Sequence, residues 1–187
     1  MKEKQVEKNK VIEEVADFYR IIPLIQFRRT PGVSFHNVPM EFLPRISAMD
    51  RVLHDRAAVS PGPVEDVQRP WYMHPHQEDN LIVLYGTRHV DLYIRKHGRV
   101  SFVVTPDQIQ KEGEVICNGP AMLVWSRFVF HRIVSGEEGS ASLNFAVHHE
   151  GLDIRKNFNI YNLNTDTGEF KIIRYGFMDQ PETEPAV

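Results

Sequence analysis

From about residue 70 onward the chain consists of short runs rich in Val, Ile, Phe and Tyr, cut apart by turn-forming residues, and this rhythm limits the fold more than any other feature. The runs are Leu81 to Tyr85, Arg88 to Arg95, Val100 to Thr105, Ala121 to Trp125, Val129 to Val134, Ala141 to His148, Phe158 to Leu163 and Phe170 to Tyr175. Between them stand Gly86, Lys96-His97-Gly98, Asn118-Gly119-Pro120, the stretch Ser135 to Ser140, and Asp166-Thr167-Gly168. Many short strands at this spacing, with no helical period between them, predict an antiparallel sandwich or barrel. In Arg88 to Arg95, Val90, Leu92 and Ile94 alternate with His89, Asp91 and Tyr93, so one face is predicted to be drier than the other.

The first third reads differently. Val11, Val15, Phe18 and Ile22 recur at helical spacing, with Ile12, Ala16 and Tyr19 widening the stripe, and predict an amphipathic helix over Val6 to Ile22 that ends before Pro23. Pro31, Gly32, Pro39 and Pro44 punctuate the segment from Pro23 to Arg56 and point to irregular edge segments. Ser60 to Asp66, with Pro61, Gly62 and Pro63, is the clearest loop signal. The expected organisation is a helix and arm over residues 1–39, a β-barrel over 40–176 and a frayed tail over 177–187.

A length of 187 residues fits one domain of ordinary size. The net charge of −3 argues against a general nucleic-acid surface, which needs clustered excess cation. Cys117 is the single cysteine and cannot form an internal disulfide. No stretch reads as a signal peptide or membrane span, so a cytoplasmic protein with no membrane partner is expected.

Two segments carry the chemistry. In Trp71-Tyr72-Met73-His74-Pro75-His76-Gln77-Glu78-Asp79-Asn80, two histidines at i and i+2 of an extended segment point to the same side. Two imidazoles and one carboxylate leave open positions on an octahedral ion. In Gly119 to Gly136, His131 stands in an otherwise apolar strand, where burial demands a hydrogen-bond acceptor or a metal. Arg127, at i−4 from His131, could orient a carboxylate substrate. Asn144 would sit opposite His131 if Ser135 to Ser140 were a hairpin, and could hydrogen-bond a ligand. Tyr93 and Trp125 read as packing residues, and Cys117 as inert.

With both segments in hand, the chain resembles the cupin superfamily over roughly Trp71 to Val147: His-x-His, an acidic or amide residue and an apolar strand ending in Gly86, then a glycine turn, an apolar strand and His131. The resemblance implies an all-β, antiparallel double-stranded β-helix, or jelly-roll barrel. It also implies a divalent transition metal (Fe, Mn, Ni or Zn) held by His74, His76, His131 and an acidic residue. Counting back from Gly86 gives Asp79, counting forward from His76 gives Asn80, and strand alternation favours Glu78; Asp79 is chosen because the glycine fixes the register of the strand it ends. The departures are Ser126 and Phe128, where the family often has Pro and Gly. Expected functions are a metal-dependent enzyme of dioxygenase, isomerase or lyase type acting on a small molecule in the barrel mouth, or a non-catalytic sensing cupin. A homodimer is expected, with the arm from Pro23 to Arg45 packing across the twofold.

Overall fold

The computed structural model describes residues 11–43 and 45–181. In chain order its strands are β1 (Glu13–Val15), β2 (Tyr19–Pro23), β3 (Ile25–Thr30), β4 (Val33–Asn37), β5 (Ala48–His54), β6 (Val59–Ser60), β7 (Trp71–Met73), β8 (Gln77–Ile94), β9 (Gly98–Thr105), β10 (Gln108–Lys111), β11 (Glu114–Asn118), β12 (Ala121–Trp125), β13 (Phe130–His148), β14 (Ile160–Leu163) and β15 (Phe170–Arg174). A single helical turn, α1 (Ile154–Asn157), and a 3₁₀ turn over Gly176–Asp179 complete the described chain.

β8 and β13 are the spine, paired antiparallel from Phe130 opposite Tyr93 to His148 opposite Gln77. The first half of β8 also pairs with β12, which leads on to β2 and β1, while its second half pairs with β9, which leads on to β10 and β11. β5 pairs with the second half of β13, and β6 and β7 with its first half; β14 and β15 extend the sheet beyond β7. The two halves of each long strand thus have different neighbours, and the sheet takes the form of a cupin-type jelly-roll barrel.

Gly86 shows how β8 crosses between its halves. The sequence suggests a turn there, yet the strand continues through Gly86 at φ 71°, and an added Cβ would lie 2.0 Å from the Gly139 carbonyl. Only a residue without a side chain lets the two spine strands approach so closely in that conformation. Ser135 to Ser140 is likewise no hairpin: β13 runs through it with a register shift against β8.

The helix predicted over Val6 to Ile22 is not formed in the described part, and residues 6–10 lie outside it. Glu13–Val15 and Tyr19–Pro23 are strands, separated by a turn in which Asp17 takes φ 61°. The helical reading arose because β2 is buried on both faces. Ile21 packs into the main core with Leu81, Phe102 and Leu123, whereas Ile22 faces the opposite way against Leu43, Met122 and Val124. A strand covered on both sides loses the period of two that would identify it. The covering layer includes Leu43, with Val38 and Phe42 packed beside it. The pair β10 and β11 was not anticipated; polar residues at Gln108, Gln110 and Glu114 dilute its apolar pattern. Part of the predicted irregular segment from Pro23 to Arg56 is strand: β3 and β4 form a separate two-stranded ribbon, and β5 joins β13.

Candidate functional site

After β7 the chain bends at His74, Pro75 and His76 before β8 begins. Proline disfavours a helical conformation at the residue before it, and the bend resets which side chains face inward. In β8 the inward side chains are Gln77, Asp79 and Leu81, which wall an interior cavity of about 230 Å³. His74 reaches the same cavity from β7's end, His131 from β13, and Asn144 from the other half of β13.

His74, Asp79 and His131 are 5%, 3% and 5% exposed, and each contributes one ligand atom to a group lying within 4.8 Å of one another. Both imidazoles have fixed tautomers. The His74 Nδ1 stands 2.7 Å from the Asn157 carbonyl and the His131 Nδ1 3.2 Å from the Val129 carbonyl. A carbonyl oxygen only accepts, so Nδ1 carries a proton in each ring, and in the neutral imidazole Nε2 keeps its lone pair. The rings meet edge to face with centroids 4.7 Å apart, while Phe158 packs against His74 and Trp125 against His131.

Asp79 is held from one side only. Its Oδ1 accepts from Gln77 Nε2 at 2.7 Å and from Asn144 Nδ2 at 2.6 Å. Its Oδ2 is buried without a hydrogen-bond donor, 3.6 Å from His74 Nε2. That separation exceeds a hydrogen bond and lies near the ~3.0–3.4 Å expected for two donors sharing one ion with bonds of about 2.1 Å. Two imidazole lone pairs and an orphaned carboxylate oxygen form the two-histidine, one-carboxylate donor set of many divalent-metal sites. The supports are of the kind such ligands need: a backbone carbonyl behind each histidine and amide donors behind the carboxylate.

The electrostatics agree with this geometry. Desolvation, reinforced by the neighbouring His74, pushes His131 down to about 3, so its ring is neutral at ordinary pH. Burial pushes Asp79 upward, but His74, His131 and the amide donors of Gln77 and Asn144 outweigh it and hold the carboxyl below its usual range.

Of the predicted ligands, the structure brings together His74, Asp79 and His131 but not His76. The bend at Pro75 breaks the extended geometry that would have put both histidines on one side. His76 Nδ1 lies 2.8 Å from the Glu150 carbonyl, and its ring packs against Gly151. Glu78 pairs outward with Arg20 at 3.0 Å, and the Asn80 amide donates to the Phe145 carbonyl, so neither alternative to Asp79 points inward. Arg127 is exposed, stacked over Phe128 and away from the cavity, because Ser126 and Arg127 belong to the turn after β12 and do not share His131's strand face. Asn144 does reach the site, paired opposite Leu81 and Asp50 and not opposite His131.

Sequence reasoning missed several wall residues. Gln77 links Asp79 to Asn157, whose Nδ2 donates to Gln77 Oε1 at 3.2 Å. Asn157 ends α1, which Asp153 caps by accepting from the Arg155 backbone N–H, and the fold of the C-terminal segment brings it against His74 and Gln77. Asp50, His54 and Arg88 also line the cavity. An arginine at an inward position of a predicted strand was the available signal for Arg88; nothing local marks Asn157.

No family model matches the chain, and no curated protein matches it in sequence. Among solved structures it is similar to QdtA, a sugar 3,4-ketoisomerase from Thermoanaerobacterium thermosaccharolyticum in complex with TDP, with a TM-score of 0.52 and 14% identity over 74% of this chain and 85% of that one. A double mutant of the same enzyme, also with TDP, gives a TM-score of 0.52 and 15% identity over 75% and 85% of the two chains. What this chain shares with these ketoisomerases is the cupin-type barrel fold.

Proposed function

We propose that the protein is a metal-dependent enzyme that transforms a small organic molecule inside the barrel, with His74, Asp79 and His131 holding a divalent transition metal. The observation that carries this reading is the buried Asp79 Oδ2, which has no donor and shares a cluster with His74 and His131, whose Nδ1 atoms are tied to backbone carbonyls. A buried carboxylate oxygen without a partner is costly, and a dication removes that cost. When bound, the ion would act as a Lewis acid toward a carbonyl or hydroxyl oxygen of the substrate. The chain's own residues do the rest. Asn157 and Val129 fix the two tautomers, Gln77 and Asn144 hold the carboxylate, and Trp125, Tyr72 and Phe158 provide walls that limit water at the reacting centre. Elemental analysis of anaerobically purified protein, with His74→Ala and His131→Ala alongside, tests the reading. Stoichiometric metal in the wild type and none in the variants supports it; a metal-free wild type that also fails to bind added Fe(II), Mn(II), Ni(II) or Zn(II) rejects it.

A second reading is favoured by His74 itself. With Nδ1 tied to Asn157 and Nε2 directed into the cavity, it can act as a general base in an isomerase without metal. The fold likeness to sugar 3,4-ketoisomerases bound to TDP makes a hydroxyketone, including a nucleotide-linked sugar, the substrate class to assay first. Turnover that survives complete removal of metal selects this reading over the first.

The oligomer is also a proposal. The β3–β4 ribbon is separate from the barrel sheet and leaves Phe27 62% exposed and Val33 49% exposed. An isolated two-stranded hairpin is marginal in water, so a second copy of this chain is the expected cover.

A further inference from the structure

The cavity has a second polar end that the triad does not use. Arg88 on β8 is 1% exposed, and no carboxylate among the described residues lies within ion-pairing distance of it. Its Nε donates to Ser140 Oγ at 3.0 Å and its Nη2 to the Val52 carbonyl at 3.2 Å. Both acceptors are neutral, so the charge is buried without a counter-ion. They occupy the side of the guanidinium that joins Nε to Nη2, and Nη1 carries no hydrogen bond, which leaves the Nη1–Nη2 end for a further acceptor. Ser140 Oγ is in turn bonded to Ser135 Oγ at 2.7 Å and Ser135 Oγ to His54 Nδ1 at 3.0 Å, so the arginine is anchored in a hydrogen-bonded chain.

Arg88 lies opposite Ser135 in the β8–β13 pairing, four residues along β13 from His131, or ~13 Å of strand. Ile133, between them on the same face, is a cavity wall, so one continuous space runs from the triad to the guanidinium. Of the other ionisable wall residues, Asp50 belongs to the triad end, where Asn144 Nδ2 lies 3.4 Å from it, and His54 is the end of the chain that anchors the arginine. A buried arginine with a free planar fork fits a carboxylate, whose two oxygens match its two parallel N–H vectors.

We propose that Arg88 is the anion-binding subsite of this cavity and that the substrate is a small carboxylic acid, its carboxylate on Arg88 and its reacting carbon at the His74, Asp79 and His131 end. The second half of this statement rests on the proposed function; the subsite itself does not. Burial draws the Arg88 guanidinium down to about 10, so it stays charged at neutral pH.

The test is a ligand-observed NMR titration of the metal-free, full-length protein with three probes: isobutyrate, its uncharged isostere isobutyramide, and inorganic phosphate. Isobutyrate is expected to bind at least tenfold more tightly than either of the others. Arg88→Met is expected to abolish that preference, and Arg88→Lys, which keeps the charge without the fork, to weaken isobutyrate binding severalfold. Equal affinity for acid and amide, tighter binding of phosphate, no isobutyrate binding, or an unchanged preference in Arg88→Met would each overturn the proposal. If Arg88→Met does not fold, the acid–amide comparison in the wild type decides alone. Metal content is measured separately, so a metal-free protein that still selects isobutyrate rejects the proposed metal function and keeps the subsite, whereas a metal-loaded protein with no preference does the reverse.

Discussion

Asp79 Oδ2 lies 3.6 Å from His74 Nε2, and neither atom has a hydrogen-bond donor directed at it. His74 Nδ1 is tied to the Asn157 carbonyl, so Nε2 is the ring atom that faces the carboxylate oxygen across the gap. A cation between them would satisfy the carboxylate oxygen and the imidazole lone pair together. Asp79→Asn removes the anionic oxygen and is expected to lower divalent-metal affinity by about tenfold or more, read by equilibrium dialysis against Mn(II) or Zn(II). Glu78→Gln, whose carboxylate pairs outward with Arg20, is expected to leave metal affinity unchanged. The opposite ranking would remove Asp79 from the ligand set.

Asn157→Ala deletes the side-chain amide that donates to Gln77 while keeping the backbone carbonyl behind His74. Gln77 then loses the partner that helps it present Nε2 to Asp79. A stability loss of about 1–3 kcal/mol in urea unfolding is expected, since Asn157 is buried. Metal affinity should fall about tenfold, the usual effect of disturbing a group behind a ligand. A variant with native stability and native metal affinity would show that this relay is incidental.

Gly86→Ala places a Cβ 2.0 Å from the Gly139 carbonyl, in a left-handed conformation that already disfavours a side chain. The clash is with the Gly139 backbone, which the pairing of the next residue, Ser140, with Gly86 holds in place, so it cannot yield cheaply. Destabilisation of about 4 kcal/mol or failure to fold is expected. Gly98→Ala is the control: it shares the left-handed φ, at 75°, but meets nothing within 4 Å, and should cost only about 1–2 kcal/mol. Equal costs by chemical denaturation would mean that the strand approach at Gly86 is not a constraint.

His54 contributes a pH dependence outside the triad. Burial, helped by the charge of Arg88, lowers its pKa to about 4 from the ordinary histidine value near 6.5. Since the folded value is the lower one, the unfolded chain binds more protons between these limits, and stability falls as pH drops from about 6.5 to 4. Partial exposure limits the contribution to roughly 1–2 kcal/mol. His54→Asn should flatten this part of the stability-against-pH curve, measured by urea unfolding of the metal-free protein. An unchanged slope would show that His54 is already solvated in the native state.

Phe27→Glu on the β3–β4 ribbon tests the proposed dimer. Charge placed on an exposed apolar ribbon should shift light-scattering mass from dimer to monomer without lowering metal content. A wild type that is monomeric throughout would dispose of the dimer.

The strands over Ala121 to Trp125 and Phe170 to Arg174 were legible because runs of apolar and β-branched residues end at turn-formers, and that pattern is local. The same locality made His131 conspicuous, since a histidine in an apolar strand must find a partner. It also favoured Asp79, because Gly86 fixes the register that points it inward. Other features were decided by contacts that no local window contains. β2 read as a helix because Leu43, Met122 and Val124 cover the face that Ile21 does not use. His76 lies apart from His74, Asp79 and His131 because the bend at Pro75 turns it toward Glu150, 74 residues away. Asn157 came to support His74 from 83 residues further along the chain. Arg88 acquired its meaning only when the pairing of β8 with β13 and β5 with β13 surrounded it with neutral acceptors. Periodicity and turn chemistry act over a few residues and determine which segments become strands. Which side chains converge on one buried volume depends on long-range pairing and burial, and only the closed barrel supplies these.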